Sequence, residues 1–273
     1  MKTKLAKVAI AMLGIFVSVG AYADNNVFID QTGNGNNVVI TQDYNGNNVG
    51  GVANGPPSDT NRAVIEGNNN VINIDQIGEG NKLGLTFRNN NGLTVGGGAT
   101  PASSLNYQAF GVNNQALIRI DDGAGGPASN TNVNIVQYGA NADTNLLIQG
   151  SNSTVDFRTG ASGAGNAVDD SVITSSISGD SNTQTVIFSG GASNSATLQQ
   201  TGDSNSIAIT ASGASNIFGI NQDASTGGQH SFVAGVTGSS NTMSVVQAGS
   251  YNSTVNVNVT GSNNAYTINT NTR

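Results

Sequence analysis

Residues 31–42 read "QTGNGNNVVITQ". A Gly/Asn turn follows Gln31 and Gly33; a short strand then runs from Asn36 through Val38 and Ile40 to Gln42. Apolar residues at every second position are the signature of a strand with one buried face. Gln31 and Gln42 are eleven apart, and so are Asn25, Asn36 and Asn47. The same interval returns at Asn70 and Asn81, at Asn194, Asn205 and Asn216, and at Asn241, Asn252 and Asn263. Ser171 and Asn182 keep the frame. A glycine stands eight residues after Asn25, Asn70, Asn194 and Asn241, at Gly33, Gly78, Gly202 and Gly249.

Counting by twos from each asparagine gives the inward set. It reads Ile72, Ile74, Gln76; Ala196, Leu198, Gln200; Phe218, Ile220, Gln222; and Met243, Val245, Gln247. Each unit is a strand of about five residues and a Gly/Ser/Asn turn. One unit cannot bury its apolar face, but facing arms stacked as a repeat can. The spacing therefore predicts an all-β chain, a β-solenoid of stacked strand–turn–strand coils with two roughly 11-residue arms per coil and cross-β packing. A three-sided coil stays open as an alternative. An inward amide has two donors and two acceptor sites. Stacked in register, it is expected to bond its equivalents above and below and so to penalise a slipped register.

The regularity is uneven. Residues 171–273 are clean and free of proline; residues 24–170 are interrupted at 50–61, 88–103, 121–131 and 158–170, which hold Pro56, Pro57, Pro101 and Pro127. Proline breaks a strand ladder, so these stretches are expected to leave the coils at corners. Short frames persist between them, at Ser103, Leu105, Tyr107, Ala109 and at Asn114, Ala116, Ile118, Ile120. Near 252 the phase slips, because Val255, Val257 and Val259 alternate one place late.

The pattern Gln-x-Gly-x-x-Asn-x-apolar-x-x-x-Gln resembles the curlin repeat of bacterial curli fibres. Gln31, Gly33, Asn36, Val38 and Gln42 fit it fully. Gln76, Gly78 and Asn81 fit with Phe87 in the last place; Gln200, Gly202 and Asn205 fit with Ala211 there; Gln247, Gly249 and Asn252 fit with Thr254 and Asn258 departing. Gln137 and Gly139 begin a copy whose spacing then stretches. Asn25, Asn70, Asn194 and Asn241 stand where curlin repeats usually open with serine. The resemblance implies a subunit of an extracellular amyloid fibre that serves cell adhesion and biofilm matrix. It further implies a nucleator subunit and an outer-membrane export pore as partners, besides further copies of the chain itself.

The composition fits either a disordered chain or a repeated backbone scaffold, and regularly spaced valine and isoleucine favour the scaffold. Charged residues make up only 9% of the 273 positions, where about 25% is usual. Lys2, Lys4 and Lys7, the apolar run 8–19 and "AYA" at 21–23 read as a signal peptide over 1–23, cut between Ala23 and Asp24. That makes the expected location extracellular. Loss of those three lysines takes the net charge from −7 to −10. Such an acidic surface gives no grip on nucleic acid, and no later run is long enough to span a bilayer. There is no cysteine, so no disulfide staples the chain.

No catalytic constellation, cofactor or metal site is expected. His230 is the lone histidine and lies in the asparagine frame, eleven before Asn241. Asp121–Asp122 and Asp169–Asp170 match no calcium-loop spacing. The alternative to a fibre subunit is a monomeric β-solenoid adhesin or binding module.

Overall fold

A computed structural model describes residues 15–19, 25–51, 61–88, 103–120, 130–160, 169–188 and 190–272. Among them the regular structure is strand, with no helix. In chain order the strands are β1 (Ile15–Val19), β2 (Asn26–Val27), β3 (Ile29–Thr32), β4 (Asn37–Asp43), β5 (Asn48–Gly50), β6 (Ala63–Glu66), β7 (Val71–Ile77), β8 (Lys82–Arg88), β9 (Ser104–Val112) and β10 (Gln115–Ile120). There follow β11 (Asn132–Ala140), β12 (Asp143–Gln149), β13 (Thr154–Arg158), β14 (Val172–Ser178), β15 (Thr183–Ile187), β16 (Ser195–Thr201), β17 (Ile217–Asp223), β18 (His230–Val233), β19 (Thr242–Gly249), β20 (Ser253–Asn256) and β21 (Ala265–Thr272).

All pairing is parallel. The first sheet runs β1-β4-β7-β9-β11-β13-β15. Its line continues through the bridges Thr183↔Ser206 and Ser206↔Ser231 to the β18–β20 pair. The second sheet runs β2-β5-β8-β10-β12-β14-β16-β17-β19-β21, with β3 and β6 extending its first strands. Successive arms of the chain alternate between the two sheets. Asn37 in the first sheet is followed eleven residues later by Asn48 in the second, and Val71 by Lys82 in the same way. Strands that neighbour each other in a sheet are thus two arms apart. The shortest such offset is 22 residues, as in Asn132↔Thr154 and Ser195↔Ile217.

Inward residues of both sheets form one continuous core. It contains Val38, Ile72, Leu105 and Phe157 from the first sheet and Leu83, Ile118, Leu198 and Phe218 from the second. The strands show the expected alternation; β10 reads exposed–buried three times over. Residues 114–120 and 103–109 keep the frames read from sequence, with Tyr107 and Ile118 fully buried. Strands on either side of residue 170 belong to the same sheets, since β12 pairs β14.

Glycine is required where corners stack. Gly78 has φ +119°, and a Cβ built there lies 1.9 Å from the Gly111 carbonyl oxygen. Corner therefore rests on corner at backbone distance.

Two readings need correction. The copy that starts at Gln137 does not stretch. Ala142 takes the asparagine place and Ile148 the final glutamine place, and Asn132↔Thr154 keeps the 22-residue register. The interruption comes later, after Arg158. Asn252, in turn, is exposed at a corner. One extra residue there puts Ser253 opposite His230, and Val255, Val257 and Val259 turn inward. The prolines lie outside the described residues, as do Ala23, Asp24 and Asp121–Asp122.

Candidate functional site: amide columns and open sheet edges

Four columns of buried polar groups run along the stack. Two are at the corners where arms begin. In the second sheet the column is Asn25, Asn47, Asn81, Asn114, Ala142, Ser171, Asn194, Asn216, Asn241 and Asn264. In the first sheet it is Asn36, Asn70, Ser103, Thr131, Ser153, Asn182, Asn205, His230 and Ser253.

These asparagines bond differently from a plain side-chain ladder. In most of them Oδ1 accepts the backbone N–H of the next column member. The distances are 2.9 Å for Asn70 N–H to Asn36, 3.0 Å for Asn81 to Asn47, and 3.0 Å for Asn241 to Asn216. The Nδ2 group mostly donates to a corner carbonyl: Asn36 to Gly67 at 2.9 Å, Asn47 to Gly78 at 2.8 Å, Asn182 to Gly202 at 2.9 Å. From Asn194 to Asn264 the carboxamides also meet each other, at 3.0–3.2 Å. The column therefore has a direction. Its oxygens face the C-terminal end of the stack and its N–H groups face the N-terminal end.

The other two columns are built from glutamines at the far end of the strands, Gln42 and Gln76 in the first sheet and Gln200, Gln222 and Gln247 in the second. Gln42 donates to Gln76 at 2.8 Å, Gln200 to Gln222 at 3.0 Å, and Gln222 to Gln247 at 2.9 Å. Here the expected amide ladder holds. The same Nε2 groups cross the core to the facing arm: Gln76 reaches Asn48 O, Gln222 reaches Ser206 O at 2.7 Å, and Gln247 reaches Ser231 O at 2.8 Å. Each glutamine so ties its own sheet to the other one. Gln31 lies half-buried on β3 at the N-terminal edge, in the same column as Gln200.

Several buried polar groups had no signal in the spacing. Tyr107 donates its hydroxyl to Gln137 Oε1 at 2.9 Å. Burial pushes the Tyr107 phenol pKa up, with Asp143 adding to the shift. Gln137 itself donates to Thr144 Oγ1 across the core at 3.1 Å. Ser175 bonds Gln184 between the sheets. Desolvation raises the Asp143 carboxyl above its ordinary value, with a backbone bond from Thr144 opposing. Asp223 is lowered, chiefly by hydrogen bonds from Ser225.

His230 is a column residue. Its backbone N–H donates to Asn205 Oδ1 at 3.2 Å. Its Nε2 lies 3.0 Å from the Asp223 carbonyl, which only accepts, so Nε2 carries the proton. Nδ1 then accepts from the Ser253 hydroxyl at 2.9 Å. Asp169 and Asp170 accept bonds from Ala140 N and Asn141 Nδ2 at the neighbouring corner. No cluster of three or more metal-type ligands occurs among the described residues. No described helix is long and apolar enough to cross a membrane.

Among the described residues the columns end at the last strands of each sheet. At one end β21 presents Asn264, Tyr266, Ile268 and Thr270 half-buried, beside β20 with Val255 and the following residue Val257. At the other end β2–β3 presents Asn25, Val27, Ile29 and Gln31 half-buried. β1 sits against β4 in the first sheet, with Ile15 opposite Val38 and Val19 opposite Gln42. No known family model matches the chain, and no curated protein matches it either.

Proposed function

We propose that the chain is a structural subunit of an extracellular, curli-like amyloid fibre. In this reading the two alternating sheets are the faces of a β-solenoid. Further copies extend it by in-register strand stacking, for cell adhesion and biofilm matrix. The observation that carries the proposal is that both ends of the stack present the same kind of strip. Asn25, Val27, Ile29 and Gln31 lie at one end and Asn264, Tyr266, Ile268 and Thr270 at the other.

Unpaired strand edges template further strands, and the columns supply a register for them. The directional asparagine columns make the ends complementary rather than identical, since oxygens lead at one end and N–H groups at the other. Such head-to-tail contacts do not close, so they grow a filament. On the curlin resemblance, the leader 1–23 is removed, the chain leaves through an outer-membrane pore, and a nucleator subunit starts growth.

The test is to dilute residues 24–273 from denaturant and follow thioflavin fluorescence and fibre diffraction. Fibres with a meridional reflection at about 4.7–4.8 Å are expected. A chain that stays monomeric for days overturns the reading and favours a monomeric adhesin.

A further inference from the structure

We infer that successive copies in the fibre are related by a half-turn about the stack axis, so that the first sheet of one copy continues as the second sheet of the next. This rests on the fibre reading above, including removal of residues 1–23.

The inference comes from counting arms. From Asn26 onward the second sheet holds the arms of β2–β3, β5–β6, β8, β10, β12, β14, β16, β17, β19 and β21. The first sheet holds β4, β7, β9, β11, β13, β15, the segment 206–211, β18 and β20. The described arms are thus nine in one sheet and ten in the other, an odd total. β1 occupies the matching tenth place: it sits 23 residues before its partner positions on β4, an offset like that of His230 and Ser253. Without β1, the second sheet projects one strand beyond the first at the N-terminal end. At the C-terminal end β20 and β21 are the last described strands of the two sheets.

A copy added by pure translation places β2–β3 on β21. One strand position between β20 and the next β4 is then vacant, and both facing edges keep their N–H and C=O groups unpaired inside the stack. A copy turned by a half-turn places β2–β3 on β20 and β4 on β21. Arms then alternate across the junction as they do within the chain, and neither sheet is interrupted.

The facing chemistry fits. Asn264, Tyr266, Ile268 and Thr270 meet Asn36, Val38, Ile40 and Gln42, and the apolar run Val255, Val257, Val259 meets Val27, Ile29 and Gln31. The Asn264 oxygen takes the Asn36 N–H, as Asn241 takes that of Asn264 at 3.0 Å.

The chain has no cysteine, so introduced pairs report the junction cleanly. Neighbouring parallel strands lie about 4.8 Å apart, within reach of a disulfide. With the half-turn, the outward residues Asn269 of one copy and Thr41 of the next are neighbours. With pure translation, Asn269 neighbours Asp30. Fibres of N269C/T41C and of N269C/D30C, both in the 24–273 chain, are oxidised, dissolved in formic acid and run without reductant. Covalent ladders from the first pair and monomer from the second are expected. Imaging should show a half-turn, plus accumulated sheet twist, per rise of about 46 Å. Ladders from the second pair, or from neither pair in fibres that do form, overturn the half-turn and leave the fibre reading intact. Absence of fibres from the unsubstituted chain overturns the fibre reading itself.

Discussion

Replacing Gln222 by alanine isolates what a column glutamine contributes. Gln222 accepts from Gln200 at 3.0 Å and donates to Gln247 at 2.9 Å and Ser206 O at 2.7 Å. The Ser206 carbonyl keeps the Phe232 N–H, and Gln200 Nε2 keeps the Thr183 carbonyl. Two groups remain orphaned in a fully buried site: Gln247 Oε1 and the second N–H of Gln200. Each buried orphan costs about 1–3 kcal/mol, and the vacated volume adds to this. The expected loss is about 4 kcal/mol, a large part of the 5–15 kcal/mol typical of a domain. Gln222→Leu fills the space and keeps the orphans, so about 2–3 kcal/mol is expected there. Exposed Gln199, substituted by alanine, should stay within about 0.5 kcal/mol of the parent. The assay is urea unfolding of freshly diluted, unassembled chain by circular dichroism. A Gln222→Ala loss no larger than that of Gln199→Ala refutes the claim that the columns hold the fold.

Gly78→Ala places a Cβ 1.9 Å from the Gly111 carbonyl at φ +119°; a loss of at least about 3 kcal/mol is expected in the same assay. Gly219, whose Cβ position has nothing within 4 Å, should gain about 0.4–1 kcal/mol as alanine through the unfolded chain. Asp143 gives a pH dependence of known sign. Desolvation raises its folded pKa, so its stabilising contribution is complete below the unfolded carboxylate value and is lost as pH rises through the folded value. Urea midpoints of Asp143→Asn should therefore exceed those of the parent at neutral pH and converge with them in acid. His230→Ala removes the ring bonds to Ser253 and Asp223 and is expected to cost about 2–4 kcal/mol of unfolding free energy.

The sequence showed the arms wherever corners are short. Asn36 to Asn47 and Asn205 to Asn216 keep an interval of eleven because the corner between them is only four or five residues, with left-handed backbone at Tyr44 and Gly46 in the first and at Ser215 in the second. The inward apolar positions followed from the same frame. Asn252 was misplaced because a single added corner residue moves every later side chain to the other face, and an asparagine in a corner looks like an asparagine in a column. Gln137 was misread because Ala142 carries no amide to mark the frame. The polar bonds inside the core were hidden for another reason. Ser175 with Gln184, and Gln137 with Thr144, pair residues of opposite sheets. Such pairs depend on how arms face across the core, which periodicity along one arm does not encode.

The uneven columns have a physical cause. An asparagine at an arm start does two jobs: Nδ2 closes the corner on a carbonyl, and Oδ1 takes the next arm's N–H. Where a long stretch replaces the short corner, the first job disappears. Ser103 follows 89–102, Thr131 follows 121–129 and Ser171 follows 161–168. Ser103 Oγ still does the second job toward Thr131, whereas the hydroxyls of Thr131, Ser153 and Ser171 are buried without a hydrogen-bond partner. In the middle circuits, amides thin out to Asn114 and Gln137, and large apolar side chains such as Ile135, Tyr107 and Phe157 fill the inward positions, all fully buried. Amides concentrate instead in the outer circuits, with Asn36, Gln42, Asn47, Gln76 and Asn81 towards one end and Asn205, Asn216, Gln222, Asn241 and Gln247 towards the other. Inside one chain, covalent connection already limits slippage between arms. Between two chains nothing covalent does, and an amide column that penalises a slip by unpaired groups is most useful there. On the fibre reading proposed above, the amide pairs Asn36 with Gln42 and Asn241 with Gln247 stand close to the edges where one copy would meet the next, while the β20 edge itself carries only Ser253 and valines.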